Sequence, residues 1–196
     1  MTLLDVLRHQ GHNVRPHVDP QGKIHFLDNT VVVPASMTPV KPHTFHGGED
    51  NIDAGATTSW WEEPGAMEKE RAAVALAFPG FVDISDPAEP PRFAGEIDTG
   101  FGKFTVAIVH RRDHGLPAVV PIDGKRRERR AGRRYVPSPH LYVSGLLCVA
   151  EESDWDPSSD TSATVIAWAA HWHAQYVVWR LSSRQWLSEG YHPNAA

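Results

Sequence analysis

A single cysteine, Cys148, in 196 residues means that this chain cannot staple itself with an internal disulfide, so its fold must rest on buried apolar surface. The material for that is present. Hydrophobic residues make up 41% of the chain and seven residues are tryptophan, enough for one core of ordinary size plus an extension. The placing of proline and glycine then sets the order of elements.

Residues 64–78 carry Pro64 in a plausible first turn, Glu68 and Glu70 early, alanines throughout and Pro79-Gly80 as a stop, which predicts a helix. Four short strands are expected at 81–84, 92–97, 103–109 and 116–122, separated by proline, glycine and acidic turns. In the third, Phe104, Val106 and Ile108 share the face to be buried, and Pro117 and Pro121 make the fourth an edge or bent strand. After the cysteine, Ser158, Ser159 and Asp160 offer caps to a helix whose buried stripe is Val165, Trp168, Ala169, Trp172, Tyr176 and Trp179. Tryptophans at that spacing are read as core.

Upstream, Leu3, Leu4, Val6 and Leu7 suggest a short helix ending near Gly11, and residues 23–33 suggest one or two strands with a turn at Asp28-Asn29. Residues 34–60 turn to Pro, Gly, Thr, Ser and His and read as a linker or long loop. The expected division is a small N-terminal module and linker at 1–60, followed by the main domain at 61–196. Trp60-Trp61 is read as a satellite cluster under the loop rather than a contact surface.

A buried cysteine is ordinarily a small hydrophobe, and Leu146, Leu147 and Val149 would suit a core strand around one. The flanks of Cys148 argue for chemistry instead. Pro137, Pro139, His140 and Gly145 describe an extended, conformationally fixed approach with a tight backbone position just before the thiol. With Tyr142, Leu147, Trp155 and Pro157, this stretch resembles the catalytic segment of ubiquitin-conjugating enzymes. In that family a His-Pro-Asn element and a glycine precede the thioester-forming cysteine, and a Trp-x-Pro element follows it. The departures are Ser138 at the usual histidine and His140 at the usual asparagine, a pattern more like the divergent bacterial members that work beside ubiquitin-like modifiers in antiviral defence. The order of elements is similar over residues 64–186, and the specific motif is confined to 137–157.

The resemblance implies an α+β fold of the ubiquitin-conjugating type: an N-terminal helix, an antiparallel meander sheet, a catalytic loop and a C-terminal helix, here with a small N-terminal extension. It implies that Cys148 takes a ubiquitin-like modifier from an activating enzyme as a thioester and passes it to an acceptor lysine of a protein target, with no cofactor. His140 then either supports the oxyanion through a ring N–H or braces the loop; both remain open at this stage. Asp160 is better read as a helix cap, and Asp154 and Asp156 as ordinary loop acids.

Two other readings compete. One is a cysteine hydrolase with His171 or His173 as base. The other is a noncatalytic binding module built on residues 125–134, where seven cations stand against one anion in a chain of net charge −5. That run reads either as a solvated, mobile loop or as a surface for an acidic modifier, activating-enzyme domain or phosphate-bearing target; nucleic acid is the disfavoured partner. His9, His12, His17, His25, His43, His46, His171 and His173 invite a metal, but His43-x-x-His46 lacks an evident third ligand and one cysteine builds no Cys-rich centre, so none is expected. No apolar stretch is long enough to span a bilayer and residues 1–10 lack the pattern of an export signal, so a cytoplasmic protein is expected.

Overall fold

The computed structural model describes residues 14–28, 30–48, 59–182, 186 and 188–193; the helix expected around Leu3 to Leu7, and His9 and His12, lie outside them. The first elements, β1 (Val14–Val18) and β2 (Ile24–Asp28), form an antiparallel hairpin. Its turn is at Asp19 to Gly22, ahead of the segment read as strand, so β1 is an addition to the expected elements. There Asp19 Oδ1 accepts the amides of Gln21 and Lys23, both at 3.0 Å, and Gly22 takes a φ of 92°. A second turn follows β2 where the sequence placed one, at Asp28: its Oδ1 accepts the Thr30 amide at 3.0 Å and its carbonyl accepts the Val31 amide at 2.9 Å. Asn29 itself lies outside the described residues.

The region read as linker carries β3 (Thr38–Pro39), which extends the hairpin beside β1, and β4 (His43–Thr44). Val18, Val40 and Phe45 join the same hydrophobic cluster as the helices. A 3-10 turn at Trp60–Glu62 then buries both tryptophans, with Trp60 stacked on His114 at 3.9 Å between ring centroids.

Helix α1 (Ala66–Ala77) leads into an antiparallel meander of β5 (Val82–Asp83), β6 (Arg92–Asp98), β7 (Lys103–Val109) and β8 (Ala118–Pro121), hydrogen-bonded in that order. Phe104, Val106 and Ile108 of β7 are buried as their alternation requires. Gly95 in β6 is dictated by packing: a Cβ there would fall 2.5 Å from the ring of Phe81. The basic run is an ordered hairpin, β9 (Glu128–Ala131) and β10 (Arg134–Pro137), turning at Gly132 with a φ of 65°. Its cations are too evenly spread to show an apolar alternation, so it read as a loop.

Helix α2 (Ser162–Ser182) supplies the predicted stripe, with Val165, Trp168, Ala169, Trp172, Tyr176 and Trp179 all buried. At about 1.5–3 kcal/mol for each large apolar side chain taken from water, this helix is the main source of cohesion. The chain returns as β11 (Gly190–Tyr191), which pairs antiparallel with β4. The class is therefore mixed α+β with antiparallel sheets and, among the described residues, two α-helices. No helix among them is long and apolar enough to cross a membrane.

One polar cluster stitches these layers together. Glu70 of α1 accepts both the amide and the hydroxyl of Ser162 at the start of α2, at 2.8 and 2.7 Å, and the ring of His110 lies 2.7 Å from the same hydroxyl. Burial opposes ionisation of Glu70, yet hydrogen bonds from His110 and Ser162 outweigh it and hold its pKa below the usual carboxylate range. A carboxylate here also faces the positive end of the helix dipole.

Candidate active site

The segment leading to Cys148 is shaped by its prolines and by His140. Following Pro139, His140 adopts a left-handed φ of 56°, unusual for a residue with a Cβ, at a cost of about 1–2 kcal/mol. The turn aims its carbonyl at two donors: the Cys148 amide and the Trp172 indole N–H, each at 3.1 Å. Residues 141–147 then fold back on themselves. Leu141 bridges Leu147, the Tyr142 amide donates to the Leu146 carbonyl at 3.0 Å, and Gly145 turns the chain with a φ of 88°. Leu147 in turn bridges Val119 of β8, so the cysteine sits on a strip docked to the edge of the meander.

Three polar groups meet the sulfur. The amide of His46 donates to Cys148 Sγ at 3.2 Å, the side chain of Tyr142 hydrogen-bonds to it, and the thiol itself lies 3.7 Å from the Ala150 carbonyl. Cys148 has no exposed surface. Burial pushes the thiol pKa above its ordinary value; the Tyr142 and His46 hydrogen bonds favour the thiolate and offset only part of that. The resting group is a covered, protonated thiol.

Both ring nitrogens of His140 are spent on partners other than the sulfur. Its Nδ1 lies 2.6 Å from the His46 carbonyl, its Nε2 lies 3.4 Å from Glu189, and its faces meet Phe45 and Trp186. A carbonyl only accepts, so Nδ1 carries the proton and donates. Residue 46 is thus held twice, its amide on the sulfur and its carbonyl on His140. The His46 ring is largely exposed and its Nδ1 lies 3.7 Å from Glu151. Asp154 fixes the same strand from below, its Oδ2 accepting the amides of Thr44 at 2.8 Å and Glu151 at 3.0 Å. Asp160 accepts the Asp156 amide and pairs with Lys41, tying the loop before α2.

Of the residues expected at the site, Cys148 and His140 meet through main-chain atoms. His171 and His173 spend their ring contacts elsewhere. His171 Nδ1 lies 3.0 Å from His43 Nε2, and His173 Nδ1 donates to the Ala169 carbonyl at 2.8 Å. All three rings are buried; burial lowers the pKa of His43 to about 4, that of His173 to about 3, and that of His171 well below its usual value. Among the described residues no group of three or more His, Cys, Asp or Glu converges as a metal site. Sequence reasoning placed His46 only in a metal argument; it lies 102 residues from the cysteine, and no local pattern joins the two.

Two recesses flank the cysteine strip, and Leu146 lines both. One, of about 370 Å³, is mainly apolar and lies among Val109, Leu116, Tyr142, Leu147 and Val149. The other, of about 470 Å³, is lined by Ser144 and Gly145 together with Lys125, Arg126, Glu128 and Pro137 at the base of the basic hairpin.

Comparison with known protein families gives one match: the model described as "Type II CBASS E2 protein" aligns with residues 70–193, well over half of the chain. No curated protein and no solved structure shows a significant match.

Proposed function

Because this chain belongs to the Type II CBASS E2 protein family, we propose that it is a conjugating transferase of antiviral defence in which Cys148 carries a ubiquitin-like modifier as a thioester. The observation that carries the reading is the set of polar groups on the sulfur. A cysteine serving only as packing is surrounded by carbon, whereas Cys148 is met by the His46 amide and the Tyr142 side chain, both of which stabilise a thiolate.

In the first step Cys148 Sγ attacks the thioester carbonyl joining the modifier to the activating enzyme. The Sγ–acyl bond forms, the bond to the donor sulfur breaks, and the Cys148 proton leaves with the departing thiol. In the second step the neutral amine of a target lysine attacks the same carbonyl, the Sγ–acyl bond breaks, and the amine's surplus proton returns the sulfur to a thiol. Since Cys148 has no exposed surface, charging requires the covering groups to move aside first. Gly145, free of steric contact at a φ of 88°, is where the 141–147 turn is easiest to bend.

His140 acts as a brace. Its ring N–H is committed to the His46 carbonyl, which keeps the His46 amide on the sulfur. That amide, already aimed at the reacting atom, is the better donor to the tetrahedral oxyanion. Incubation with a ubiquitin-like modifier and its activating enzyme, followed by intact-mass measurement, tests the reading. A mass gain equal to the modifier less one water, absent in Cys148→Ala, supports it. An unmodified wild type in the presence of an active activating enzyme overturns it.

A further inference from the structure

The basic hairpin is an anchored arm. Arg127 is buried, paired with Asp123 at 3.0 and 3.1 Å and lying over the Phe104 ring at 5.0 Å. Arg129 lies over the Trp179 ring at 4.6 Å, and the Tyr176 hydroxyl donates to the Glu128 carbonyl at 3.2 Å. Two of the seven cations, Arg127 and Arg129, thus fasten the arm to β7 and α2; Lys125, though exposed, adds a tie by donating to the Lys103 carbonyl at 3.0 Å beside the Phe104 ring. The other five, Lys125, Arg126, Arg130, Arg133 and Arg134, are exposed, and none has a carboxylate partner among the described residues. Arg130 stands directly opposite Tyr135, which is 64% exposed, so a cation and an aromatic ring share one open face of the ribbon.

Five unneutralised cations on a fixed support repel one another and persist only against an outside anion or solvent. Their position adds a direction. The recess at the base of the arm is lined by Lys125, Arg126 and a single acid, Glu128, together with Ser144, Gly145 and Leu146 of the cysteine turn. We propose that this arm and recess bind an acidic stretch of the polypeptide whose C-terminus is delivered to Cys148, so that the cations set which acyl donor is accepted. This rests on the conjugating reading for its purpose, but the binding itself does not. A polypeptide is favoured over nucleic acid because the cationic arm and the cysteine turn line one recess, which suits a chain bound for the thiol. Since the chain's net charge of −5 includes this cationic run, the remainder is acidic and disfavours an acidic partner elsewhere on the surface.

The test uses the full chain, with a fluorescein-labelled oligo-glutamate peptide as probe and an oligothymidylate of matched length as comparator, followed by anisotropy at low and moderate salt. Wild type and Cys148→Ala should bind the peptide alike. Combined Arg126→Glu, Arg130→Glu, Arg133→Glu and Arg134→Glu should weaken it by at least about tenfold, with a steep salt dependence in the wild type. Should that variant misfold, Arg126→Gln with Arg133→Gln and Arg134→Gln, whose side chains make no hydrogen bond, ion pair or ring contact among the described residues, should still weaken binding several-fold. Unlabelled peptide should also slow charging of the wild type but not of the reversed variant. Equal peptide binding by wild type and the folded variants, or tighter binding of the oligothymidylate than of the peptide, overturns the proposal. Failure of charging with peptide binding intact would instead count against the thioester reading alone.

Discussion

The amide of His46 donates to the sulfur of Cys148 across 3.2 Å, joining residues 102 positions apart in the chain. Much follows from this contact, because it places an N–H from the N-terminal strands against the thiol of the cysteine turn. The Tyr142 side chain adds a second donor. Removing it with Tyr142→Phe should leave the fold intact and raise the thiol pKa further, slowing alkylation by iodoacetamide about tenfold for a lost charge-assisted bond of roughly 1.5 kcal/mol. An unchanged alkylation rate would show that Tyr142 does not tune the sulfur.

The pH dependence of charging follows from the raised thiol. Because burial holds Cys148 above its ordinary value, the thiolate fraction keeps growing through neutral and mildly alkaline pH. Single-turnover charging should therefore accelerate steadily from about pH 7 to about pH 9 without a plateau. A plateau below pH 8 would mean that the sulfur is already ionised and that its surroundings differ from those described.

His140 should behave as a positioning residue. His140→Ala removes a hydrogen bond and ring packing from a left-handed position, and should cost about 1–3 kcal/mol of stability and lower the amount of modifier carried. The shape of the charging pH profile should stay that of the wild type. His140→Gly keeps the positive φ without strain and should recover part of the stability but not the carried modifier. A profile displaced by a full unit in His140→Ala would make the ring a proton-transfer group instead.

The meander was legible in the sequence because proline and glycine punctuate it and each strand is short. α2 was legible because its tryptophans keep helical spacing over about three turns. The basic hairpin was not, since its alternation is between cations that pack on aromatic rings and cations that face water, and both are written with the same letter. Arg129 lies over Trp179 while Arg130 is exposed. β4 and β11 were hidden for another reason: two-residue strands carry no periodicity, and their pairing links His43–Thr44 to Gly190–Tyr191 across almost the whole chain. His46 was therefore unreadable as a site residue, whereas Cys148 and the turn around it could be read from their own neighbours.

Acid should destabilise the protein through its buried histidines. His43 has its pKa lowered to about 4 and His173 to about 3, and both are held neutral by burial. In the unfolded chain they titrate near 6.5, so below that pH the unfolded state takes up protons that the folded state refuses. Stability is full above about pH 6.5 and falls as pH drops toward 4, with His43 alone contributing a loss on the order of 3 kcal/mol. Urea midpoints should be level between about pH 7 and 8 and decline steadily from about pH 6.5 to 4.5. A midpoint unchanged across that range would contradict neutral, buried rings.

Glu70 should be among the costliest single positions. Glu70→Ala leaves His110 and Ser162 without their shared acceptor and strips the anion from the start of α2, so a loss of about 3–5 kcal/mol is expected by urea unfolding. Glu70→Gln, which keeps an acceptor oxygen, should lose less. Equal midpoints for wild type and Glu70→Ala would remove the cluster from the account of the fold.

The most direct measurement is the chemistry of the adduct on Cys148→Ser. With the activating enzyme and modifier, wild type should give an adduct that thiol reductant removes. Cys148→Ser should give a slower-forming adduct that resists reductant and is cleaved by mild alkali, because an oxygen ester has replaced a thioester. A reductant-resistant adduct on the wild type, or an adduct on Cys148→Ser that survives mild alkali as an amide does, would place the bond on another residue and contradict the account.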